Sequence, residues 1–396
     1  MIQGFLSRVP VYDRTLSLFA YELRPCSLPG DGESQLEAFL QEFWQNHRLE
    51  KLTGDKQGLI CLSLPLLRHL PDPPGPRNRL ILNLPQTAFF QLGQNELRRL
   101  HDQGYLLAIS CGHFDPKLIG QLKFVDLLAF EAGTDLAEIA PHVRSVHAHG
   151  QQLLLRHIET RAQFDAAFDT GFDYFQGRYF ECPRLIHGTH IPANRLAVLR
   201  LIARLGDPDI TVEEAETLIR QDVTLSYKVL RLINSAFYSL PRKIDSISRA
   251  VVLLGLERIK HWAIVILVNA IDYKPRELLI TALVRAHTCE RIAKLSHRGD
   301  AEQCYIAGLF SLLDAIMDAP MAEILRHLNL TDEINEALLY GSGPIGPVLQ
   351  TVLCLEQGLC HKIPLRDLDL VSTLEAYLEA IETAEAVRRQ LEKQTT

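Results

Sequence analysis

The spacing of apolar positions changes near residue 185 and divides the chain into two parts. Before that point, short apolar runs alternate with segments in which apolar residues recur every three or four positions. The apolar runs of strand length are Leu59–Leu64, Leu80–Leu84, Tyr105–Ser110, Phe124–Phe130 and Gln152–Leu155. Two intervening segments, Glu96–Gln103 and Arg161–Asp169, have helical periodicity. Repeated strand–helix units predict parallel strands joined by right-handed crossovers, and hence an α/β sheet or barrel.

Beyond about residue 190 the apolar residues keep a spacing of three and four, which is typical of amphipathic helices. The predicted helices are Asn194–Leu205, Val212–Asp222, Leu225–Ser235, Ser248–Leu254, Glu257–Ile271, Arg276–Ser296, Ala301–Ala315 and Leu374–Lys393. The boundary lies in Pro183–Pro192, between the last strand and the first long helix. We therefore predict an α/β domain over residues 1–185, an all-α domain over 190–385 and a short tail over 386–396.

Composition and charge narrow the class of protein. The 396 residues are 47% apolar and 22% charged, as in a folded soluble protein. The formal charge of −7 argues against a broad footprint on nucleic acid or an anionic membrane. Apolar stretches such as Trp262–Val268 are far shorter than the roughly 18 residues of a membrane span. Without a secretion signal or a C-x-x-C pair, the eight dispersed cysteines predict buried thiols in a cytoplasmic protein.

Two stretches of the first part resemble EAL domains, the cyclic di-GMP phosphodiesterases. Arg8–Arg14 followed by Ala20–Leu23 resembles their opening strand pair, in which the signature glutamate corresponds to Glu22. His157–Glu159 and Gly171–Phe180 resemble the family's ending, "EGVE…G.D..QGYYF". The resemblance implies a (β/α) barrel whose C-terminal mouth holds two divalent metals, which activate a water for attack on phosphorus.

The residues at the family's site positions are only partly retained. By this resemblance Glu22, Glu159 and Gln176 are kept. The replacements are Cys61 for an asparagine, Asn83 for a glutamate, Ser110-Cys111 for paired aspartates, Ala129 for a lysine and Arg156 for a glutamate. Hard cations need several oxygen ligands, so this set does not suit two of them. We expect no catalytic residue, metal or cofactor, and a vestigial pocket formed by Glu22, Asn83, Arg156, Glu159 and Gln176.

Three further acids could be proposed as substitute ligands if the alignment were shifted. They are Asp115, Asp126 and Glu131. A shift of one residue along a strand points a side chain to the opposite face, so several independent shifts would be needed. About 185 residues is also below the usual ~200–250 of a complete barrel. We therefore expect a shortened barrel, trimmed or partly open, with an exposed strand edge available to a partner.

The run Asp222–Tyr238 resembles the HDOD module, an output-domain relative of HD phosphohydrolases. In that module "DP.L…VL.L.NSA.Y" is followed by "I.SI..AI..LG". Here Ile244–Ile247, Ala250 and Leu254–Gly255 follow at the same spacing. The resemblance implies an HD-related, all-helical HDOD domain in the second part of the chain.

The HDOD-like part lacks the groups with which an HD enzyme holds its metal. Such enzymes use a His-Asp doublet, and the corresponding stretch, Gly308–Asp314, contains no histidine. The polar signature residues are Asp222, Asn234 and Ser235. For Asn234 and Ser235 we expect hydrogen bonds that close the helix end onto a neighbouring backbone, in preference to a ligand role.

These expectations favour a non-catalytic bacterial signalling protein of the EAL–HDOD type that binds other signalling proteins. The resemblance implies control of motility, attachment or virulence in pathways that use cyclic di-GMP. One alternative is a non-hydrolysing cyclic di-GMP receptor, in which Arg156 meets a phosphate and Glu22 and Gln176 contact the remainder. The other alternative is a weak metal-dependent phosphodiesterase.

Overall fold

The computed structural model divides into two units, Met1–Glu181 with Leu353–Ile363, and Cys182–Val352 with Pro364–Thr396. The structure describes residues 5–26, 48–68, 79–115, 123–183, 193–207, 209–235, 238, 243–269, 271, 274–365 and 367–392. Within these ranges, no helix combines the length and the apolar character needed to cross a membrane.

The first unit is a closed barrel of eight strands. They are β1 (Phe5–Asp13), β2 (Leu18–Cys26), β3 (Gln57–Cys61), β4 (Leu80–Pro85), β5 (Leu106–Cys111), β6 (Leu127–Glu131), β7 (Gln152–Arg156) and β8 (Tyr174–Phe175). Strands β2 to β8 pair in parallel, and β1 is antiparallel to β2 and β8. The predicted barrel is thus confirmed. The expected open edge is wrong, because Tyr12 and Asp13 close the ring by pairing with Phe175 and Tyr174.

Short helices connect the strands of the barrel. They are α1 (Arg48–Thr53), α2 (Leu64–Arg68), α3 (Gln86–Phe89), α4 (Gln94–Asp102), α5 (Leu136–Ile139), α6 (Val143–Ala148) and α7 (Arg161–Thr170). The sequence sets both ends of α7. The Thr160 hydroxyl accepts a hydrogen bond from the Gln163 N–H, and the Gln163 side chain bonds back to the Thr160 N–H. Gly171 then ends the helix at a φ of 106°, in the left-handed region that favours glycine.

The second unit is helical, as predicted. Its helices are α8 (Ala193–Leu205), α9 (Val212–Gln221), α10 (Val223–Ile233), α11 (Ile247–Leu254), α12 (Leu256–Asn269), α13 (Glu277–Ser296), α14 (Ala301–Phe310), α15 (Leu313–Met317), α16 (Met321–Leu325), α17 (Asp332–Tyr340), α18 (Gly346–Glu356), which begins in this unit, and α19 (Leu370–Glu392). The single helix predicted over Ala301–Ala315 is two helices. The Ser311 hydroxyl at the break donates to the Gly308 carbonyl at 2.7 Å, and such bonds compete with the helical ladder.

Helix α13 is buried over most of its length and forms the centre of the second unit. Helix α14 approaches it closely at Gly308, where a Cβ atom would lie 2.7 Å from the Ala286 Cα. Helix α19 continues to Glu392, and Val387 and Leu391 are buried in it, so the predicted tail over 386–396 begins inside this helix. Gly308 has no side chain, and this explains why α13 and α14 can pack with their backbones in near contact.

The described cysteines differ in state and burial. Free thiols are found at Cys61, Cys111, Cys182, Cys289, Cys304 and Cys354. Cys360 is disulfide-bonded, and Cys61 is exposed at the end of β3. The prediction of eight buried thiols is therefore wrong for Cys360 and Cys61, and also for Cys182 and Cys354, which are only half-buried.

Candidate functional site

The C-terminal ends of the strands place one ring of side chains at the mouth of the barrel. Side chains on a strand alternate between faces, so a residue two positions beyond an interior residue also points inward. The interior residues Ala20, Leu59, Ile81, Ala108, Ala129, Leu154 and Tyr174 form one packed core. Two positions beyond them stand Glu22, Cys61, Asn83, Ser110, Glu131, Arg156 and Gln176. We call these seven residues the mouth ring.

Arg156 connects the acidic members of the mouth ring. Arg156 is only 7% exposed, and its Nη1 donates to the Glu22 Oε1 at 3.2 Å. Its Nη2 donates to the Glu131 Oε1 at 2.6 Å and to the Ser110 Oγ at 3.1 Å. Glu131 and Arg156 also lie side by side in the β6–β7 register. One guanidinium therefore bridges two carboxylates that belong to different strands.

Glu22 is a buried carboxylate held between two guanidinium groups. It is 4% exposed, and its second oxygen, Oε2, accepts from the Arg24 Nε at 2.9 Å and from Nη2 at 2.7 Å. Burial acts to raise the pKa of Glu22, but Arg24 and Arg156 outweigh burial and lower this pKa below its ordinary value. Glu22 is consequently ionised and already has two cationic partners.

Glu131 is held by Arg156 and by His157. The hydrogen bond from His157 lowers the pKa of Glu131 to about 2 against the effect of burial, and the Arg156 charge adds to it. The His157 Nδ1 bonds the Glu131 Oε2, while its Nε2 lies 3.3 Å from the Arg24 Nη2. A proton on Nδ1 satisfies both contacts, since Nε2 then accepts from Arg24. His157 has a φ of 57°, which is uncommon for a residue other than glycine.

The remaining polar members on β3 to β5 hydrogen-bond to one another. The Asn83 Nδ2 donates to the Ser110 Oγ at 2.8 Å, and the Ser110 hydroxyl donates to the Asn83 Oδ1 at 3.1 Å. The Asn83 Nδ2 also lies 3.1 Å from the Cys61 Sγ. This part of the mouth ring carries no carboxylate, and its polar groups bond one another and, at Ser110, the Arg156 guanidinium.

Two residues of the mouth ring have buried polar atoms without hydrogen bonds. Gln176 is 1% exposed, and neither atom of its amide has a hydrogen-bond partner within the described part of the chain. The amide lies close enough to Glu22 to lower the pKa of that carboxyl as a weak donor, without the geometry of a full hydrogen bond. The Arg156 Nε is also unpaired among the described residues. Buried unpaired groups are uncommon, and these atoms could bond a ligand or a water.

The structure brings most of the predicted pocket residues together, with one exception. Glu22, Asn83, Arg156 and Gln176 belong to the mouth ring. Glu159 does not, because it is exposed in the turn before α7, where its backbone N–H donates to the Gln163 Oε1 at 2.9 Å. This turn follows the end of β7, so the alternation of faces that directs the other side chains inward no longer applies there.

Three contributors to the site were not predicted in that role. Glu131 was considered only as a substitute that needed a shift, yet it points inward because it lies two residues beyond Ala129. Arg24 and His157 were not singled out as site residues. Asp126, another proposed substitute, instead accepts from the Leu107 N–H at 2.8 Å near the beginning of β5, at the opposite end of the strands.

The signature residues of the second unit make local hydrogen bonds. Asp222 accepts from the Leu225 N–H at 2.9 Å and caps α10. The Asn234 amide donates to the Ile244 carbonyl and accepts from the Ile244 N–H, each at 2.7 Å. The Ser235 hydroxyl donates to a carbonyl of the last turn of α10 at 2.6 Å. The Asn234 amide thus pairs with the backbone of Ile244 as a neighbouring strand would.

Comparison with curated proteins finds two relatives. Uncharacterized protein YuxH of Bacillus subtilis (strain 168) is 27% identical over 398 residues, which cover 96% of this chain and 97% of the relative. Cyclic di-GMP phosphodiesterase CdgJ of Vibrio cholerae serotype O1 is 28% identical over 302 residues, which cover 74% of this chain and 69% of the relative.

Solved structures match 45% of the chain. A calcium/cy-diGMP complex of Klebsiella pneumoniae BlrP1 is 18% identical with a TM-score of 0.40, and 55% of that chain is covered. The PaMucR phosphodiesterase in complex with c-di-GMP is 19% identical with a TM-score of 0.35, and 95% of that chain is covered. The HDOD domain family model matches residues 191–326. The chain therefore contains the predicted HDOD domain in its helical part, after a barrel of the kind that the EAL resemblance implies.

Proposed function

We propose that this protein is a non-catalytic, cytoplasmic signalling protein that acts by binding other signalling proteins. Its context would be the cyclic di-GMP-related control of motility, attachment or virulence, which is supported by the relative named a cyclic di-GMP phosphodiesterase. The observation that carries the proposal is the position of Arg156, whose guanidinium bridges Glu22 and Glu131 at the barrel mouth.

The donor set of the mouth ring does not fit two divalent cations. Such ions need several anionic oxygens, and Glu22 and Glu131 are already paired with guanidinium groups. Among the residues that the structure describes, no three carboxylate, imidazole or thiol ligand atoms at the mouth lie within 4.8 Å of one another. A divalent ion about 4 Å from a guanidinium would meet a repulsion of roughly 8 kcal/mol at an effective dielectric constant of about 20. Arg156 therefore disfavours the metal-dependent reaction.

Exposed apolar side chains in the helical unit support the binding of other proteins. On α11, Val252 is 88% exposed, and the next residue, Leu253, is also largely exposed. Tyr227 on α10 is largely exposed as well. Contiguous exposed apolar surface, unlike a single apolar side chain, commonly marks a protein–protein contact, and Val252 and Leu253 are consecutive on α11. Their presence in the HDOD domain favours an interaction role for that unit.

The first test is an assay for hydrolysis. We expect cyclic di-GMP to remain intact after prolonged incubation of the full chain with Mg²⁺ or Mn²⁺, because the mouth ring lacks the oxygens that would hold the ions. Chromatography of the nucleotide measures any linear product, and an active phosphodiesterase serves as the positive control. Linear product that disappears in a Glu22→Gln variant would overturn the proposal, since it would assign the reaction to the barrel mouth.

A second candidate function, a cyclic di-GMP receptor, is favoured by the unpaired amide of Gln176 and the unpaired Nε of Arg156. These buried atoms could bond a nucleotide. Both terminal nitrogens of Arg156 are already bonded to Glu22, Glu131 and Ser110, so a phosphate would have to compete with these partners. This competition is the reason why the receptor ranks second.

Calorimetric titration separates the receptor from the interaction protein. A receptor should give saturable heat with cyclic di-GMP, and Gln176→Leu should reduce the affinity at least tenfold by removing the amide. The matched control is Gln152→Leu, which changes a glutamine at the first residue of β7, at the end of the barrel away from the mouth ring. The absence of heat at high micromolar nucleotide eliminates the receptor, as does an equal effect of the two substitutions.

A further inference from the structure

The helical unit contains a cavity of about 290 Å³, and a group of ionisable side chains lies in its otherwise largely apolar wall. Its wall includes Glu257 and His261 from α12, Asp300 before α14, and Glu302 in the first turn of α14. One ligand atom from each of Glu257, His261 and Glu302 lies within 4.8 Å of the other two. Two carboxylates and an imidazole therefore converge in one cavity.

Local structure explains why these three side chains meet. Glu257 and His261 are four residues apart on α12, so they share one face of the helix. Glu302 is positioned by the helix cap, because the Asp300 Oδ1 accepts from the backbone N–H groups of Glu302 and Gln303, each at 3.0 Å. The arrangement thus depends on two helices with well-defined ends.

The imidazole is oriented and has a free polar atom. The His261 ring stacks on Tyr305, with 4.3 Å between the ring centroids, and its buried Nε2 has no hydrogen-bond partner among the described residues. Burial lowers the pKa of His261 to about 4. The stacked ring and its unpartnered Nε2, taken among the described residues, leave the imidazole available to a ligand in the cavity.

The two carboxylates are held close together without a full set of cationic partners. The Glu302 carboxyl contacts the Glu257 carboxyl, and this contact raises the pKa of Glu302 above its ordinary value. Lys260 pairs with Glu257, since its Nζ lies 3.1 Å from the Glu257 Oε1. A bound ion would therefore compete with one ammonium group here, whereas at Glu22 it would compete with two guanidinium groups. A bound cation would relieve the repulsion between these two carboxylates, whose ligand atoms lie within 4.8 Å of each other.

We propose that Glu257, His261 and Glu302 bind one divalent transition-metal ion, of the Mn²⁺ or Zn²⁺ class, in this cavity. One imidazole with two carboxylates is a donor set that such ions accept. Bonds of 2.0–2.2 Å place donors of a tetrahedral site roughly 3.3–3.6 Å apart, so the side chains need to close only slightly around the ion. The ion would join α12 to the first turn of α14. The proposal does not depend on the function of the barrel.

The test measures the binding of Mn²⁺ to the full chain after treatment with a chelator. Mn²⁺ is the probe because thiolates bind it poorly and the chain has several free cysteines. Electron paramagnetic resonance measures the Mn²⁺ that stays free in solution during a titration. For the wild type, these values should show one saturable site. We expect at least a tenfold loss of affinity in His261→Gln and in Glu302→Gln, and an unchanged affinity in the matched control His327→Gln, an exposed histidine of the same unit.

Glu302→Gln guards against a folding defect, because glutamine can keep the hydrogen bond to Glu257 on a largely exposed side chain. Hydrogen exchange provides a second readout, with Mn²⁺ slowing exchange in α12 and the first turn of α14 in the wild type alone. The proposal is overturned by the absence of saturable binding or by equal binding in all variants. Binding lost in Glu22→Gln instead would place the ion at the barrel mouth and contradict the non-catalytic function as well.

Discussion

Replacing Arg156 with methionine is expected to lower the free energy of unfolding of the barrel unit by roughly 3 kcal/mol. The guanidinium is hydrogen-bonded to Glu22, Glu131 and Ser110, and its removal leaves the buried Glu22 carboxylate with one cationic partner, Arg24. Methionine retains much of the apolar volume, so the loss reports mainly the charge. Denaturant unfolding followed by circular dichroism measures the change, and hydrogen exchange in strand peptides assigns it to the barrel.

Two further variants test the cause of this loss. Arg24→Met removes a more exposed guanidinium, whose bonds to the buried Glu22 are partly screened by water, and we expect it to cost less, about 1–2 kcal/mol. The double variant Arg156→Met with Glu22→Gln should recover stability relative to Arg156→Met alone, because the uncompensated charge is removed with its partner. An equal cost of the two arginine substitutions, or no recovery in the double variant, would contradict a central role for Arg156.

Replacing Asn234 with alanine is expected to lower the free energy of unfolding of the helical unit by roughly 2–3 kcal/mol. The amide satisfies both backbone groups of the buried Ile244, and alanine would leave them without these bonds. Tyr238 lies between these residues in the chain, and its ring meets Trp262 edge-on at 6.5 Å between centroids. With the other tryptophan, Trp44, replaced by phenylalanine in every variant, unfolding followed by tryptophan fluorescence reports both the stability and the environment of Trp262.

Ser235→Ala is the matched control for the asparagine. The Ser235 hydroxyl donates to the Leu232 carbonyl within the end of the same helix, and we expect its loss to cost about 1 kcal/mol or less. Asn234→Asp should give an intermediate loss, since a carboxylate still accepts from the Ile244 N–H but cannot donate to its carbonyl. A cost for Ser235→Ala that equals or exceeds that of Asn234→Ala would show that the loop does not depend on the amide.

The sequence allowed most of the mouth ring to be predicted because strand geometry has a period of two. Once the EAL resemblance had aligned the strands, Glu22, Asn83, Arg156 and Gln176 followed as inward-facing residues at the C-terminal ends. The place of Glu131 could have been found by the same rule, since Ala129 precedes it by two residues and faces the barrel interior.

The partners within the ring could not be predicted in the same way. The contact of Glu131 with Arg156 requires the register between β6 and β7, and the contact of His157 with Arg24 requires a left-handed backbone at the end of β7. Both depend on tertiary packing. Closure of the barrel depended likewise on the pairing of β1 with β8, which the length of the chain did not indicate.

The helical unit shows the same division. The spacing of Glu257 and His261 on one helix was present in the sequence and could have indicated a shared face. Glu302 belongs to another helix, and only the packing of α14 brings it to that face. Local patterns thus predicted the elements, while the residues that meet between elements required the three-dimensional structure.

The pairing of β1 with β8 has a consequence for how partners can recognise the first unit. Each described strand already has a hydrogen-bonded neighbour on either side, so the ladder offers no row of vacant amides and carbonyls for an added peptide strand. Recognition by β-augmentation, which reads main-chain groups, is thereby disfavoured. A protein that docks on the barrel would have to select it through its side chains, which makes that contact sensitive to individual surface substitutions.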